Sequence, residues 1–95
     1  MNRYELGVVI KPDLEEEVFR AELEKVTGLV TRFGGVIEKV DEWGRRKLAY
    51  PIDKITDGVY TFITFNSPAD APSEIENRIR IMENVMRFLL VKLDE

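Results

Sequence analysis

The sequence contains neither histidine nor cysteine among its 95 residues. These absences exclude an imidazole general base, a thiolate nucleophile, a disulfide and the Cys/His ligand sets that hold zinc, iron–sulfur clusters or haem. A serine hydrolase would need a base other than histidine, and the only serines are Ser67 and Ser73. These absences remove most catalytic chemistry, and we predict no catalytic residues, no metal site and no cofactor.

Long apolar runs are also missing. No stretch approaches the twenty residues of a membrane span, and Met1–Glu5 lacks the apolar segment of an export signal. This pattern predicts a cytoplasmic protein with no membrane partner, and no motif indicates a small-molecule substrate. With 44% apolar and 34% charged residues, a chain of this length is predicted to form one folded domain over residues 1–95.

Basic residues are outnumbered by acidic ones, 14 to 18, which gives a net charge of −4 and a pI near 4.9. This balance argues at first against a nucleic-acid partner. However, the segment Asp13–Glu24 holds six of the acids and one base, so the remainder of the chain has a net charge of +1. Acids near the start of a helix favour its dipole, and we interpret this segment as a solvated helix and not as a catalytic or calcium site.

The first third of the chain predicts a strand followed by a helix. Apolar residues alternate over Tyr4–Ile10, as on a strand with one buried face, and Pro12 ends the strand. Asp13 with Glu16 forms a capping-box pattern that predicts the helix start. A helical stripe then runs to Gly34–Gly35, which predicts the helix end, and is formed by Phe19, Leu23, Val26, Val30 and Phe33.

The middle of the chain predicts a long hairpin. A second strand opens with the β-branched stretch Val36–Val40 and can run past Gly44 to Ile52, and Gly44 within it indicates a bulge or sharp bend. Asp57–Gly58 has the composition of a tight turn, and Val59–Phe65 is predicted as the third strand, antiparallel to the second.

The last third predicts a helix and a final strand. The loop Pro68–Ser73 leads into a helix that Asn84 can close, and Val85–Val91 is an apolar strand; the apolar face of the helix is formed by Ile75, Ile79 and Met82. The order β-α-β-β-α-β is the α+β, ferredoxin-like arrangement, a four-stranded antiparallel sheet with two helices on one face. Since this fold serves many functions, it does not by itself indicate one.

Basic residues are concentrated in Trp43–Tyr50, where three consecutive cations lie between two aromatic residues. Strand alternation sends Arg45 and Lys47 to one face and Arg46 to the other. A second basic set follows the third strand and consists of Arg78, Arg80 and Arg87. Such clusters are typical either of a charged rim that protects a strand edge or of a surface that binds phosphates.

Aromatic residues on the third strand predict a second feature. Tyr60 and Phe62 alternate with the aliphatic residues that fit better beneath the helices, so both are predicted on the open face of the sheet. They either pack against the sheet itself or form a platform for bases or for a protein partner. Phe62–Phe65 is similar to the end of an RNA-recognition-motif signature, but the residues before it do not fit and Phe65 has the parity of the buried side.

Six stretches occur in the order found in bacterial small-subunit ribosomal protein six: Arg3–Glu5, Pro12–Leu14, Gly35–Val40, Trp43–Tyr50, Asp57–Tyr60 and Asn84–Phe88. The chain resembles this family from Met1 to about Asp94. Trp43–Tyr50 and Arg80–Arg87 are the most specific parts of the resemblance.

The resemblance implies a non-enzymatic assembly protein of the small ribosomal subunit. Such a protein binds the central domain of the small-subunit ribosomal RNA together with a small basic partner, ribosomal protein eighteen. Carried over by position, Arg3, Arg80 and Arg87 are expected to contact the RNA backbone. The signature strand is expected to serve RNA or the protein partner, with the two left open, through Arg45, Arg46, Lys47, Trp43 and Tyr50.

Two other functions fit the same fold. One is a small-molecule-binding regulatory module, which would typically dimerise through sheet edges. The other is a small acyl-phosphate hydrolase, which would need an anion-binding loop after the first strand. Lys11–Leu14 lacks the glycines and the arginine of such a loop.

Overall fold

Six elements follow one another in the order expected from the sequence. The structure is a computed structural model that describes residues 1–52 and 54–93, and its elements are β1 (Asn2–Ile10), α1 (Glu16–Arg32), β2 (Val36–Ile52), β3 (Ile55–Ser67), α2 (Ala71–Ile79) and β4 (Val85–Lys92). The four strands form one antiparallel sheet in the order β2-β3-β1-β4. The ferredoxin-like arrangement is therefore confirmed. Neither helix has the length and apolarity needed to cross a membrane.

Alternation along the two central strands gives the sheet one covered face and one open face. On β1, Tyr4, Leu6, Val8 and Ile10 are buried, and on β3 the buried residues include Ile63 and Phe65. These side chains pack against the apolar stripes of both helices in two neighbouring clusters. The covered face therefore holds the core, while on the opposite face Val9 is buried as well.

Helix α1 ends where the sequence predicts but begins later. Gly34 has a φ of +88°, and the backbone N–H groups of Gly34 and Gly35 donate to the carbonyls of Thr31 and Val30. A Cβ on Gly35 would lie 2.7 Å from the Val30 carbonyl oxygen, so this position requires glycine. The predicted N-cap is wrong, because the helix starts at Glu16 with Glu15 before it and no side-chain cap.

The predicted turn at Asp57–Gly58 is also wrong. Both residues lie inside β3, and the chain reverses between Ile52 and Ile55, which pair with each other. Position 58 requires glycine for a different reason, because a Cβ there would lie 2.4 Å from Cγ1 of Val9 on β1. The bend predicted at Gly44 is confirmed, since its φ is +82° and the β2–β3 register shifts between Glu42 and Gly44.

Helix α2 is shorter than its apolar pattern suggests. It ends at Ile79, so Met82 lies beyond it and Asn84 does not close it. A turn follows instead, in which the N–H of Met82 donates to the Ile79 carbonyl. The carbonyl of Asn84 accepts the N–H of Lys11 at 2.9 Å, which ties the start of β4 to the end of β1.

Candidate nucleic-acid and protein interface

The register of the sheet places Tyr60 and Phe62 on the open face, as their parity predicts. Gly7 of β1 pairs with Phe62 on one side and with Leu89 of β4 on the other. Val9 pairs in the same way with Tyr60 and Arg87. Because residues paired across antiparallel strands point to the same side, these side chains form one continuous surface.

Glycine at position 7 lets an aromatic ring lie close to the sheet. A Cβ on Gly7 would be 2.9 Å from Cε1 of Phe62, so the Phe62 ring lies across β1 at this point. Trp43 packs on the same ring, with 4.6 Å between centroids and a tilt of 54°. The bulge at Glu42–Gly44 gives β2 an extra residue here, and the Trp43 indole Nε1 donates to Asp41 at 3.0 Å. Two of the four predicted aromatic residues therefore contact each other.

Two arginines lie over aromatic rings on this side of the sheet. The guanidinium of Arg46 is 6.0 Å from the centre of the Trp43 ring. That of Arg87 is 5.6 Å from the centre of the Tyr50 ring, and its Nη1 donates to the Tyr50 Oη at 3.2 Å. Cation–π contacts of this kind hold a guanidinium without neutralising it. We call this set the open-face cluster: Trp43, Arg46, Tyr50, Tyr60, Phe62 and Arg87.

Arg45 lies on the other side of the hairpin, as alternation predicts. It pairs across the ladder with Val59, which packs on the covered-face core. Its guanidinium donates to the carboxylates of Asp57 and of Asp13, the latter at 3.3 Å. The hydrogen bond that Arg45 donates to Asp57 is the largest of the causes that raise the pKa of Arg45. Lys47 has the same parity and is exposed.

The remaining two predicted RNA-contacting arginines lie apart from the cluster. Arg3, near the start of β1, forms an ion pair of 2.7 Å with Glu38 of β2. Arg80 follows α2, donates to the Asn77 side chain at 3.1 Å and lies 6.0 Å from the centre of the Phe88 ring. The predicted cations are thus distributed over several parts of the surface.

Carboxylate pairing divides these cations into two groups. Arg3 and Arg45 are paired with acids. Within residues 1–52 and 54–93, no carboxylate pairs with Arg46, Arg80 or Arg87, and an aromatic ring lies beneath each of them. A guanidinium that keeps its charge and its N–H groups can bind a phosphate through two parallel hydrogen bonds. The second group has the chemistry of a phosphate-binding surface.

The apolar residues that β4 adds to the open face were not predicted from the sequence. Leu89 is 68% exposed and Val91 39% exposed, and both lie on the open face beside β1. A shallow groove of about 270 Å³ runs over Gly7 between Phe62 and Leu89. The alternation of β4 contained this signal, because Phe88 and Leu90 pack on the core and the residues between them must point outward.

Comparison with known proteins gives consistent matches over nearly the whole chain. The family model described as ribosomal protein S6 matches residues 3–92. A protein of Clostridium novyi named small ribosomal subunit protein bS6 is 48% identical over 91 residues, 96% of each chain. A protein of the same name from Clostridioides difficile is 47% identical over 91 residues, 96% of this chain and 98% of the relative.

A solved structure agrees with these matches. The crystal structure of 30S ribosomal protein S6 from Thermotoga maritima superposes with a TM-score of 0.92 at 31% identity. The match covers 97% of this chain and 87% of that one. The likeness in fold and the likeness in sequence therefore extend over the same residues.

Proposed function

The chain belongs to the ribosomal protein S6 family, whose members are structural proteins of the small ribosomal subunit and not enzymes, and from this membership we propose how it binds there. In this proposal it binds the central domain of the small-subunit ribosomal RNA cooperatively with ribosomal protein eighteen, in the cytoplasm. The sheet and the hairpin position the contact groups, and no bond is made or broken.

The observation that carries the proposal is the set of arginines without a carboxylate partner. Arg46, Arg80 and Arg87 each lie over an aromatic ring, and each can donate to phosphate oxygens without first breaking an ion pair within residues 1–52 and 54–93. Arg3, Arg45 and Lys47 remain candidates for RNA contact. In Arg3 and Arg45 the guanidinium has an acid beside it, so we expect the smaller contributions there.

The open face supports the second half of the proposal, the protein partner. Its centre is apolar and aromatic, with Tyr60 and Phe62 on β3 and exposed Leu89 on β4. Exposed apolar surface of this kind is typical of a protein interface, and Trp43 and Tyr50 extend it along the hairpin. A basic partner would supply further positive charge for the phosphates, so a chain of net charge −4 can contribute to one RNA site.

The regulatory-module alternative has no supporting observation among the described residues. Its test is a ligand screen with nucleotides and amino acids, in which we expect no saturable binding. Saturable binding of one such ligand, unaffected by the RNA, would favour that alternative over the proposal.

The main experiment measures the affinity for a central-domain RNA fragment with and without ribosomal protein eighteen, over a series of salt concentrations. We expect weak binding alone and tight binding with the partner, with a log–log salt slope of roughly −0.9 for each phosphate contact in a duplex-like site. An affinity that does not change with salt, or that is equal with and without the partner, would contradict the proposal.

Matched variants locate the contacts. Arg80→Ala and Arg87→Ala are expected to weaken RNA binding while the fold stays intact. Arg32→Ala is the control, because Arg32 also lies over a ring, that of Phe33 at 5.6 Å, but at the end of α1 and away from the open face. If Arg80→Ala and Arg87→Ala leave the affinity unchanged, the RNA contact shifts to Arg45–Lys47.

A further inference from the structure

We propose that Tyr50 is a positioning residue for Arg87, and that this contact couples binding of the protein partner to binding of RNA. The inference rests on the proposed function, because it assumes that Arg87 contacts RNA and that the hairpin meets the partner. It adds a direct contact between the residue that is expected to bind RNA and the hairpin that is expected to bind the protein partner. Tyr50 and Arg87 are 37 residues apart in the chain and touch directly.

The contact spans the sheet from one outer strand to the other. Tyr50 is on β2 and Arg87 on β4, and the strand order places both β3 and β1 between them. Tyr50 reaches Arg87 because the hairpin continues past the point where β1 and β3 stop pairing, at Ile10 and Val59. We call residues 45–52 and 54–58, which extend beyond that point, the hairpin arm.

The hairpin arm packs closely against the open face at its base. Gly58 fits against β1 and β4 because it has no side chain, since a Cβ there would lie 2.4 Å from Val9 and 3.5 Å from the Met86 sulfur. Leu48 is only 7% exposed although it lies in the arm, and it has the same strand parity as Tyr50. The arm is thus held at Gly58 and Leu48, and Tyr50, two residues beyond Leu48, contacts Arg87.

The chemistry of the contact suits phosphate binding. The centre of the guanidinium lies 5.6 Å from the centre of the Tyr50 ring, and its Nη1 donates to the phenol oxygen. A guanidinium has five N–H donors, so the others remain to donate to a phosphate. An arginine that is already held in place loses less side-chain entropy when it binds, so its contact with RNA is stronger.

Binding of the partner and binding of RNA are coupled because Tyr50 is itself exposed to the partner. Tyr50 is 57% exposed, and a partner that covers the hairpin arm would fix its ring and with it the guanidinium of Arg87. RNA bound to Arg87 would in turn hold Tyr50 in place for the partner. Such a coupling is reciprocal, and typical values change each affinity by about 5- to 150-fold.

A double-mutant cycle tests the inference. RNA affinity is measured with and without ribosomal protein eighteen for the wild type, Tyr50→Ala, Arg87→Ala and the double variant. We expect each single variant to lower the affinity of the complex with the partner by about tenfold. Without the partner, the double variant should bind no more weakly than Arg87→Ala, because there Tyr50 acts only through Arg87. Tyr50→Phe should restore part of the loss, since it keeps the ring under the guanidinium.

The outcomes separate this inference from the proposed function. If the two substitutions have additive effects without the partner, or if Tyr50→Ala has no effect while Arg87→Ala weakens binding, the positioning role is refuted and the RNA contact of Arg87 stands. If Arg87→Ala has no effect, the RNA contact itself fails. A readout without RNA completes the test: the Nε–Hε NMR signal of Arg87 should shift in Tyr50→Ala, which removes the ring, and stay unchanged in Arg32→Ala. An unmoved signal in Tyr50→Ala would also refute the positioning role.

Discussion

The two faces of the sheet around the hairpin arm hold their arginines differently, whereas Arg3, at the other end of the open face, is paired with Glu38. On the side of the helices, Arg20 is paired with Glu16 and Glu42, and Arg45 with Asp13 and Asp57. On the open face, Arg46 and Arg87 lie over aromatic rings, and no carboxylate within residues 1–52 and 54–93 pairs with either.

The acidic segment contributes to this difference around the hairpin arm. Asp13–Glu24 forms the start of α1 and the loop before it, and its Asp13 and Glu16 accept from Arg45 and Arg20 on the helix side. Arg46 and Arg87, on the other side of the arm, have no carboxylate partner within residues 1–52 and 54–93. Net charge therefore says little about what this protein binds, whereas the local partner of each cation says a great deal.

The largest expected effect is on the free energy of unfolding, and it distinguishes the two faces of the sheet by how tightly their side chains are packed. Phe65 and Phe62 lie on the same strand, the first fully buried under the helices and the second on the open face. Phe65→Ala should lower the free energy of unfolding by about 3–5 kcal/mol, because it leaves a cavity in the core. Phe62→Ala should cost about 1–2 kcal/mol, mainly through the lost contact with Trp43. Urea unfolding followed by circular dichroism measures both.

Equal losses from the two substitutions would contradict the division into a core face and a binding face. Trp43 gives a second signal, because it is the only tryptophan and packs on Phe62. Its fluorescence in the folded protein should change in Phe62→Ala and remain close to the wild type in Phe65→Ala at low urea.

Periodicity in the sequence was sufficient to predict the element order and the two faces. The alternation of β3 assigned Phe65 to the core and Tyr60 and Phe62 to the open face, because strand parity is a local property. The Asp57–Gly58 turn was predicted wrongly for the opposite reason. Gly58 is needed where β3 passes close to Val9, and that approach is a tertiary contact with no local signal.

The same limit applies to the candidate site. Alternation correctly assigned Arg45 and Arg46 to opposite faces, but it gave no indication that Arg45 would donate to Asp13, 32 residues away. Asp13 was predicted as a helix cap because its local pattern fits one, and in the structure its carboxylate accepts from Arg45 instead. Which cations remain available for RNA is therefore decided by distant pairing, which periodicity does not encode.

The second prediction compares these two neighbouring arginines directly. Arg46→Ala should lower RNA affinity in the presence of the protein partner by roughly tenfold, because a charge-assisted contact is lost. It should also reduce the salt slope by about 0.9. Arg45→Ala removes the same charge from the adjacent position and should change the affinity by about twofold or less, as for an ordinary surface substitution. Filter binding at several salt concentrations measures both.

The opposite ranking, with Arg45 the more important residue, would show that RNA replaces the carboxylates of Asp13 and Asp57 as the partner of Arg45. In that case Asp57→Asn should strengthen RNA binding, because it frees the guanidinium.

The smallest expected effect concerns polar groups on the two faces. The Thr61 hydroxyl on β3 is fully buried under the helices and has no hydrogen-bond partner among the described residues, whereas Thr64 on the same strand is partly exposed on the open face. Thr61→Val should raise the free energy of unfolding by roughly 1 kcal/mol, because a buried unpaired hydroxyl is costly. Thr64→Val should change it little, since water satisfies that hydroxyl. Paired urea titrations test the difference, and a destabilised Thr61→Val would mean that the covered face accommodates this polar group by a contact worth more than its burial costs.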